Sequence, residues 1–199
     1  VIDTIELNLL YRQKQDSYIP ELAREIKDDC LDDYLTTRND YTFLKCSSNN
    51  IIPNLRTFCH QLLEKNYDYK RFQIMAPMYA GVNGIDNLNK ILQEIFNPKD
   101  SLKNEYKYGD VIFRENDKVL QLVNVTDDNV FNGDIGVISS IRNGNYTKSG
   151  KSEITIYFDG NLVTYQPKDL GNIKLGYVIS IHKSQGSEFD IVVLPVCNN

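Results

Sequence analysis

The chain of 199 residues contains no tryptophan, only two histidines and only four cysteines. The cysteines are Cys30, Cys46, Cys59 and Cys197. No two of them form a C-x-x-C pair and none has paired histidines at ligand spacing, which argues against a zinc site and a disulfide framework. Cys59 falls on the apolar stripe of a predicted helix, so we expect it to be a buried structural thiol.

Long apolar runs and an excess of positive charge are also missing. No apolar run approaches the roughly 20 residues that a membrane-spanning helix needs, and no secretory signal opens the sequence, so we expect a cytoplasmic protein. The 22 lysines and arginines are outnumbered by 27 acidic residues, which gives a net charge of −5. Tight nucleic-acid binding usually needs a basic surface, so this balance predicts only weak binding of nucleic acid by the chain alone.

The sequence has no G-x-x-x-x-G-K-[ST] phosphate loop and no apolar strand ending in an acidic pair, the elements that hold nucleotide phosphates and Mg²⁺ in P-loop enzymes. It begins at Val1 without an initiator methionine and ends at Asn199 directly after an apolar run. We therefore expect a fragment of a longer protein.

The apolar pattern predicts α/β structure in the first half of the chain. Ile19 and Leu22 lie on one face of a first predicted helix, which Asp16 or Ser17 would cap. An acidic cluster follows at residues 28–33, for which a solvated surface is the favoured interpretation and a metal site the alternative. Further on, the pattern indicates a helix over 54–66, a buried strand over 72–77 and a helix capped by Asp86.

The pattern changes near residue 107. From there to about residue 170 the chain alternates short apolar strands with Asn-Gly or Asp-Gly turns, which is typical of a small antiparallel barrel of roughly sixty residues. The predicted strands are 118–124, 135–141, 153–158 and 162–165. Because α/β patterns lie on both sides, we interpret the barrel as an insertion in an α/β domain.

Two apolar runs, 176–181 and 191–195, close the sequence and predict central strands of a largely parallel sheet. The polar loop between them would lie at the carboxyl end of a strand, where α/β sheets bind ligands. Its backbone N–H groups and Lys183 could hold a phosphate, and Glu188 could accept hydrogen bonds from a ribose. The alternative is a loop that is polar only because it is solvated.

The stretch from Ile181 to Asp190, Ile-His-Lys-Ser-Gln-Gly-Ser-Glu-Phe-Asp, resembles motif V of superfamily 1 helicases, particularly of the RecD-like branch. The resemblance implies that Gly186 and Glu188 lie near a nucleotide. It further implies that single-stranded DNA is contacted by His182, Lys183, Ser184 and Gln185.

Residues 10–13, Leu-Tyr-Arg-Gln, are similar to motif IV of the same helicases. By this resemblance Arg12 is the candidate catalytic residue, reaching the terminal phosphate of ATP, with Gln13 beside it in the ATP site. An arginine side chain suits this role, because its charge is fixed and its forked N–H donors match the geometry of phosphate oxygens. A surface ion pair is the alternative role for Arg12.

Two more stretches agree in order with the RecD-like branch. Residues 73–89 are similar to its strand–loop–helix segment, but Tyr79 and Ala80 stand where many members carry basic residues. Residues 130–136, Val-Phe-Asn-Gly-Asp-Ile-Gly, are similar to a turn of its SH3-like insertion. We interpret this turn as structural, with DNA contact by the barrel face as the alternative.

Taken together, the resemblance implies an α/β fold: a RecA-like (P-loop NTPase-type) parallel sheet domain with an inserted small all-β SH3-like barrel. The second RecA-like domain would comprise residues 1–106 and 172–199, and the barrel residues 107–171. The parent would be an ATP-dependent DNA helicase of recombination and repair that uses ATP and Mg²⁺ and moves 5′ to 3′.

The resemblance also implies partners and alternatives. The expected partners are single- and double-stranded DNA, the first RecA-like domain of the same polypeptide and subunits of a recombination nuclease. Without a phosphate loop or an acidic Mg²⁺ motif, the chain alone is predicted to be inactive and to hold no cofactor or metal tightly. The alternatives are a non-catalytic interaction module with an SH3-like barrel, or the helicase part of a conjugative relaxase.

Overall fold

A computed structural model describes residues 16–31 and 37–196. Three α-helices and ten β-strands lie in these ranges. The helices are α1 (Ile19–Lys27), α2 (Ile51–Glu64) and α3 (Ile85–Phe96). The strands are β1 (Phe72–Ala76), β2 (Glu105–Tyr108), β3 (Val111–Arg114), β4 (Lys118–Gln121), β5 (Ile135–Arg142), β6 (Glu153–Phe158), β7 (Asn161–Tyr165), β8 (Ile173–Leu175), β9 (Val178–Ser180) and β10 (Ile191–Val193).

The chain divides into two compact units, residues 1–46 and 47–199. The described part of the first unit contains α1, which follows Tyr18 and carries Pro20 in its first turn, where a missing N–H costs nothing. The expected side-chain cap of α1 is absent, although the Ser17 hydroxyl accepts a 3.3 Å hydrogen bond from the Ile19 N–H. Within the described ranges, no helix is long and apolar enough to cross a membrane.

A parallel sheet in the second unit has the order β10-β1-β9. Ile74 of β1 is in register with Val178 of β9, and Phe72 with Ile191 of β10. The expectation that the two last strands are central is therefore wrong for the described residues. The buried strand β1 is the central strand, because it pairs with β10 on one edge and with β9 on the other. On the edge strand β10, Val192 is 52% exposed.

Helices α2 and α3 supply the apolar core that covers this sheet. Leu55 and Cys59 of α2 are buried with Leu88 and Leu92 of α3. Burial raises the pKa of the Cys59 thiol to about 12, so the thiol stays protonated and unreactive at neutral pH. This burial confirms the structural role expected for Cys59.

The start of α3 differs from the prediction. Gly84, and not Asp86, is the residue that precedes the helix, and Asp86 lies in the first turn, where a negative charge suits the helix dipole. A Cβ atom at residue 84 would lie 2.4 Å from the Ala80 carbonyl oxygen. The close return of the loop onto itself therefore requires glycine at this position.

Between β1 and β9 in the chain lies an antiparallel sheet of order β7-β6-β5-β4-β8. Its strands match the predicted ones closely, and β8, which pairs with β4, adds a fifth strand that the sequence pattern did not indicate. Strands β1 and β9 are hydrogen-bonded neighbours although this sheet separates them in sequence. This order is the topology of an insertion. The boundaries of the insertion, residues 107–171, remain a prediction.

A buried carboxylate connects the two sheets to α3. Asp117 has no exposed surface and accepts hydrogen bonds from the side chains of Gln93 at 2.6 Å, Asn97 at 2.7 Å and Tyr177 at 2.9 Å. It also accepts one from the backbone N–H of Arg114 at 2.7 Å. Burial nevertheless outweighs these bonds and raises the pKa of Asp117.

Candidate functional site

The loop after β9 begins with a tight turn. Residues Ile181–Ser184 form a 3₁₀ turn directly after the strand, and Gly186 follows in the left-handed region with φ +87. The Ser184 hydroxyl donates to the Ile181 carbonyl oxygen at 2.7 Å, and the Ser187 N–H donates to the Ser184 carbonyl at 3.0 Å. The loop thus has a defined shape at the carboxyl end of a parallel strand, as the sequence predicts.

The residues predicted to contact DNA lie close together in this turn. The side chains of His182 and Gln185 are exposed, while Lys183 and Ser184 are half-buried. The Lys183 ammonium donates a hydrogen bond to the side-chain oxygen of Asn132, which lies in the loop before β5. Their role in DNA binding remains a prediction.

The loop crosses from one edge of the parallel sheet to the other. His182 follows the carboxyl end of β9, whereas Glu188 comes three residues before Ile191, where β10 begins. Glu188 lines a groove of about 690 Å³ with Lys70 and Arg71, which precede β1. The structure therefore places Glu188 towards the amino edge of the sheet, away from the His182 turn.

The far end of the loop is anchored by Asp190. The Asp190 carboxylate forms an ion pair with Arg71 at 2.7 Å and accepts a 3.1 Å hydrogen bond from the Tyr67 hydroxyl. The Asp190 N–H also donates to the Arg71 carbonyl oxygen at 3.1 Å. The backbone bond fixes where β10 begins, while the exposed ion pair adds little energy by itself.

A buried lysine forms the floor of the groove that Glu188 lines. Lys118 is 1% exposed, and its ammonium donates to the Phe72 carbonyl oxygen at 2.8 Å. Burial lowers the pKa of Lys118 to about 7, and the nearby charge of Asp68 opposes this shift. The ring of Phe189 lies 5.7 Å from the ammonium, within the range of a cation–π contact.

A second cation lies at the carboxyl edge of the sheet. The Lys174 ammonium is 5.4 Å from the centre of the Tyr79 ring, and the Tyr79 hydroxyl bonds to Ser180 at 3.4 Å. Lys174 thus brings positive charge to the segment that lacks basic residues at Tyr79 and Ala80. Sequence reasoning missed Lys118, Lys174 and the partner role of Asn132, because each contact joins residues far apart in the chain.

The proposed ATP site is only partly within the described residues. Arg12 and Gln13 lie outside them, so the structure does not show whether Arg12 approaches Gly186 or Glu188. Gly186 has open space where a Cβ would stand, so its backbone is accessible to a ligand. No group of three or more His, Cys, Asp or Glu side chains within residues 16–31 and 37–196 could hold a metal ion.

Comparison with known sequences agrees with this architecture. A family model described as "ATP-dependent RecD-like DNA helicase SH3 domain" matches residues 88–158. The "ATP-dependent RecD2 DNA helicase" of Deinococcus radiodurans is 33% identical over 121 residues, which cover 61% of this chain and 15% of that protein. The "RecBCD enzyme subunit RecD" of Buchnera aphidicola subsp. Schizaphis graminum is 28% identical over 165 residues, covering 75% of this chain and 25% of that protein.

A solved structure supports the fold. The Pif1 helicase from Bacteroides, in complex with ADP-AlF3 and ssDNA, matches with a TM-score of 0.56 and 14% identity, covering 98% of this chain and 46% of that one. The resemblance to RecD-like helicases and the RecA-like fold with an SH3-like insertion are thereby confirmed. The chain spans 15% and 25% of the two curated relatives named above.

Proposed function

We propose that this chain is part of an ATP-dependent DNA helicase of the RecD-like kind. In it the chain would form one side of the ATP cleft and part of the track for single-stranded DNA. The observation that carries the proposal is the loop 181–190, which resembles motif V in sequence and starts at the carboxyl end of a parallel strand. The relatives named as RecD-type helicases support it.

The first part of the loop has the chemistry of a DNA contact. Lys183 contributes a positive charge, and phosphate neutralisation supplies most of the affinity in DNA binding. The exposed side chains of His182 and Gln185, together with Ser184, add hydrogen-bond donors that can position a phosphate or a base. A short, internally bonded turn holds these groups in a fixed arrangement, which lowers the entropic cost of binding.

The ATP side of the proposal rests on Arg12, Gln13, Gly186 and Glu188. When bound, ATP would supply a phosphoryl group for transfer to water, and Mg²⁺ would neutralise the charge on the phosphates. Arg12 would stabilise the negative charge that develops on the terminal phosphate. Gly186 would let the backbone approach the nucleotide, and Glu188 would accept hydrogen bonds from its ribose. The residues that hold Mg²⁺ and make most of the phosphate contacts would belong to the first RecA-like domain of the same polypeptide.

The wider role in the cell is part of the same proposal. The substrates would be single- and double-stranded DNA, the direction of travel 5′ to 3′, and the process recombination or repair. Subunits of a recombination nuclease are the candidate protein partners, since one type of relative is a subunit of the RecBCD enzyme.

The test separates the ATP-site role from the DNA-binding role in the full-length polypeptide that carries this chain. We expect Arg12→Ala to abolish ATP turnover with little loss of DNA binding, because it removes a phosphate contact made during hydrolysis. His182→Ala should instead weaken the stimulation of ATP turnover by single-stranded DNA. Turnover and binding are measured with and without single-stranded DNA.

His60→Ala is the matched control, since His60 is the other histidine of the chain and lies exposed on α2. It should behave as the unmodified protein. Equal loss of both activities in Arg12→Ala and His182→Ala, with folding retained, would overturn the division of roles.

A further inference from the structure

The loop before β5 is seated against the motif V-like loop. The Asn132 side-chain oxygen accepts a hydrogen bond from the Lys183 ammonium. A Cβ at Gly133, whose φ is +103, would lie 3.4 Å from the Lys183 carbonyl oxygen. The loop before β5 thus hydrogen-bonds to the Lys183 side chain and passes close to the Lys183 backbone, and we name residues 131–134 the barrel turn.

The barrel turn is held rigidly by the antiparallel sheet. The Gly133 N–H donates to the Gln121 carbonyl at 2.9 Å, and the Asn132 N–H donates to the side chain of Asn124 at 2.8 Å. Gln121 is fully buried and its side chain accepts a 2.8 Å bond from the Tyr165 hydroxyl. Asn132 therefore presents its oxygen from a backbone that cannot easily move.

The choice of an amide acceptor has a physical consequence for the lysine. A lysine side chain loses about 2 kcal/mol of rotamer entropy when it is fixed, so a free Lys183 would lose this freedom on binding a phosphate. A neutral amide oxygen orients the ammonium in advance and leaves its charge intact. A carboxylate at the same place would orient the ammonium but cancel its charge.

The same sheet also touches the other end of the loop. Lys118 and Gln121 are the first and last residues of β4. Lys118 lies beneath the Phe189 ring, and Gln121 fixes the barrel turn that contacts Lys183. Strand β4 thus supports the loop near both of its ends, and a shift of the barrel would move the loop with it.

We propose that Asn132 is a positioning residue, which orients Lys183 for a DNA phosphate and couples the barrel to the loop. This inference rests on the proposed function. It assigns the barrel turn an indirect role in DNA affinity, through Lys183, in place of a purely structural one.

The test uses single-stranded DNA binding by the full-length polypeptide, measured as a function of salt. Asn132→Ala should weaken binding about three- to tenfold and leave the salt dependence unchanged, because the charge of Lys183 remains. Asn132→Asp should lower the salt slope by about one, because the new carboxylate neutralises Lys183. Asn143→Ala is the matched control, because Asn143 lies in the other Asn-Gly turn of the barrel and its side-chain oxygen accepts a hydrogen bond from the nearby Asn145 N–H.

A double-mutant cycle with Lys183→Met separates positioning from a structural role. In the Lys183→Met background, Asn132→Ala should cause no further loss of DNA affinity. An equal further loss in that background would overturn the inference, because Asn132 would then act independently of Lys183.

A measurement without DNA tests the coupling between the barrel turn and the loop separately from the proposed function. In the 199-residue chain, Asn132→Ala should speed hydrogen–deuterium exchange of the amides in residues 181–188. Unchanged exchange would overturn the coupling. Faster exchange together with unchanged DNA affinity in Lys183→Met would uphold the coupling and overturn the DNA role of the loop.

Discussion

Lys118 illustrates how strongly burial changes a single residue. The residue is 1% exposed, and its ammonium donates a 2.8 Å hydrogen bond to the Phe72 carbonyl oxygen. The charged groups around its groove are Lys70, Arg71, Asp159, Glu188 and Asp190, with Asp68 acting from nearby. Burial dominates this balance, and the pKa of Lys118 falls to about 7.

The lowered pKa of Lys118 predicts a pH dependence of stability. Between pH 7 and about 10.5 the unfolded chain binds the lysine proton and the folded chain does not, so the free energy of unfolding should rise with pH in this window. Lys118→Met should remove this rise, by about 1 kcal/mol or more between pH 7 and 9. Urea unfolding of both proteins at the two pH values measures it.

Lys174→Met is the control for this experiment, because Lys174 is half-exposed and its removal should leave the pH dependence as it is. A rise that persists in Lys118→Met would show that another group causes it.

At the scale of secondary-structure elements, Asp117 connects parts that the sequence pattern treats separately. It precedes β4, and its partners come from α3, from the residue after α3, from β3 and from Tyr177 just before β9. A buried acceptor with this many donors specifies how the helix, the antiparallel sheet and the parallel sheet meet. Leaving such donors unpaired is costly, because they cannot reach water.

We expect Asp117→Asn to lower the free energy of unfolding by about 2–4 kcal/mol, because the new NH₂ group faces donors. Tyr177→Phe, which removes one donor, should cost about 1 kcal/mol. Chemical denaturation of the 199-residue chain measures both. Asp110→Asn, at an exposed position between β2 and β3, is the matched control and should be close to neutral. A loss for Asp117→Asn as small as that of the control would contradict the connecting role.

For the molecule as a whole, the expectation for the chain alone rests on its charge and its sequence motifs. Its net charge is −5, and its sequence has no phosphate loop. The proposed DNA track offers Lys183 as its one lysine within residues 181–190. Few phosphate contacts mean weak binding with only a small salt dependence.

We therefore expect the 199-residue chain to show no DNA-stimulated ATP hydrolysis and to bind single-stranded DNA with a dissociation constant above about 1 µM at physiological salt. Fluorescence anisotropy and a phosphate-release assay measure these. The full-length polypeptide is the positive control. Nanomolar DNA affinity or DNA-stimulated turnover by the chain alone would contradict the proposed division between two RecA-like domains.

The amino-acid sequence alone determined most of the helices, strands and turns of this protein. Apolar periodicity predicted α2, α3 and β1 within a few residues, because one face of each must be buried. Asn-Gly and Asp-Gly turns predicted the antiparallel strands between them, since these residues adopt the turn backbone easily. The polar run 182–190 predicted a loop between two strands, and its sequence carried the family resemblance.

Tertiary structure alone decided which residues meet. The central place of β1, the burial of Lys118 and the contact of Asn132 with Lys183 each depend on residues that are distant in the chain. Apolar periodicity indicates only whether a residue faces the core. It does not indicate which distant residue will contact it. The contact between Asn132 and Lys183 forms only when the barrel packs against the parallel sheet. The link between the barrel and the loop is therefore a property of the tertiary structure.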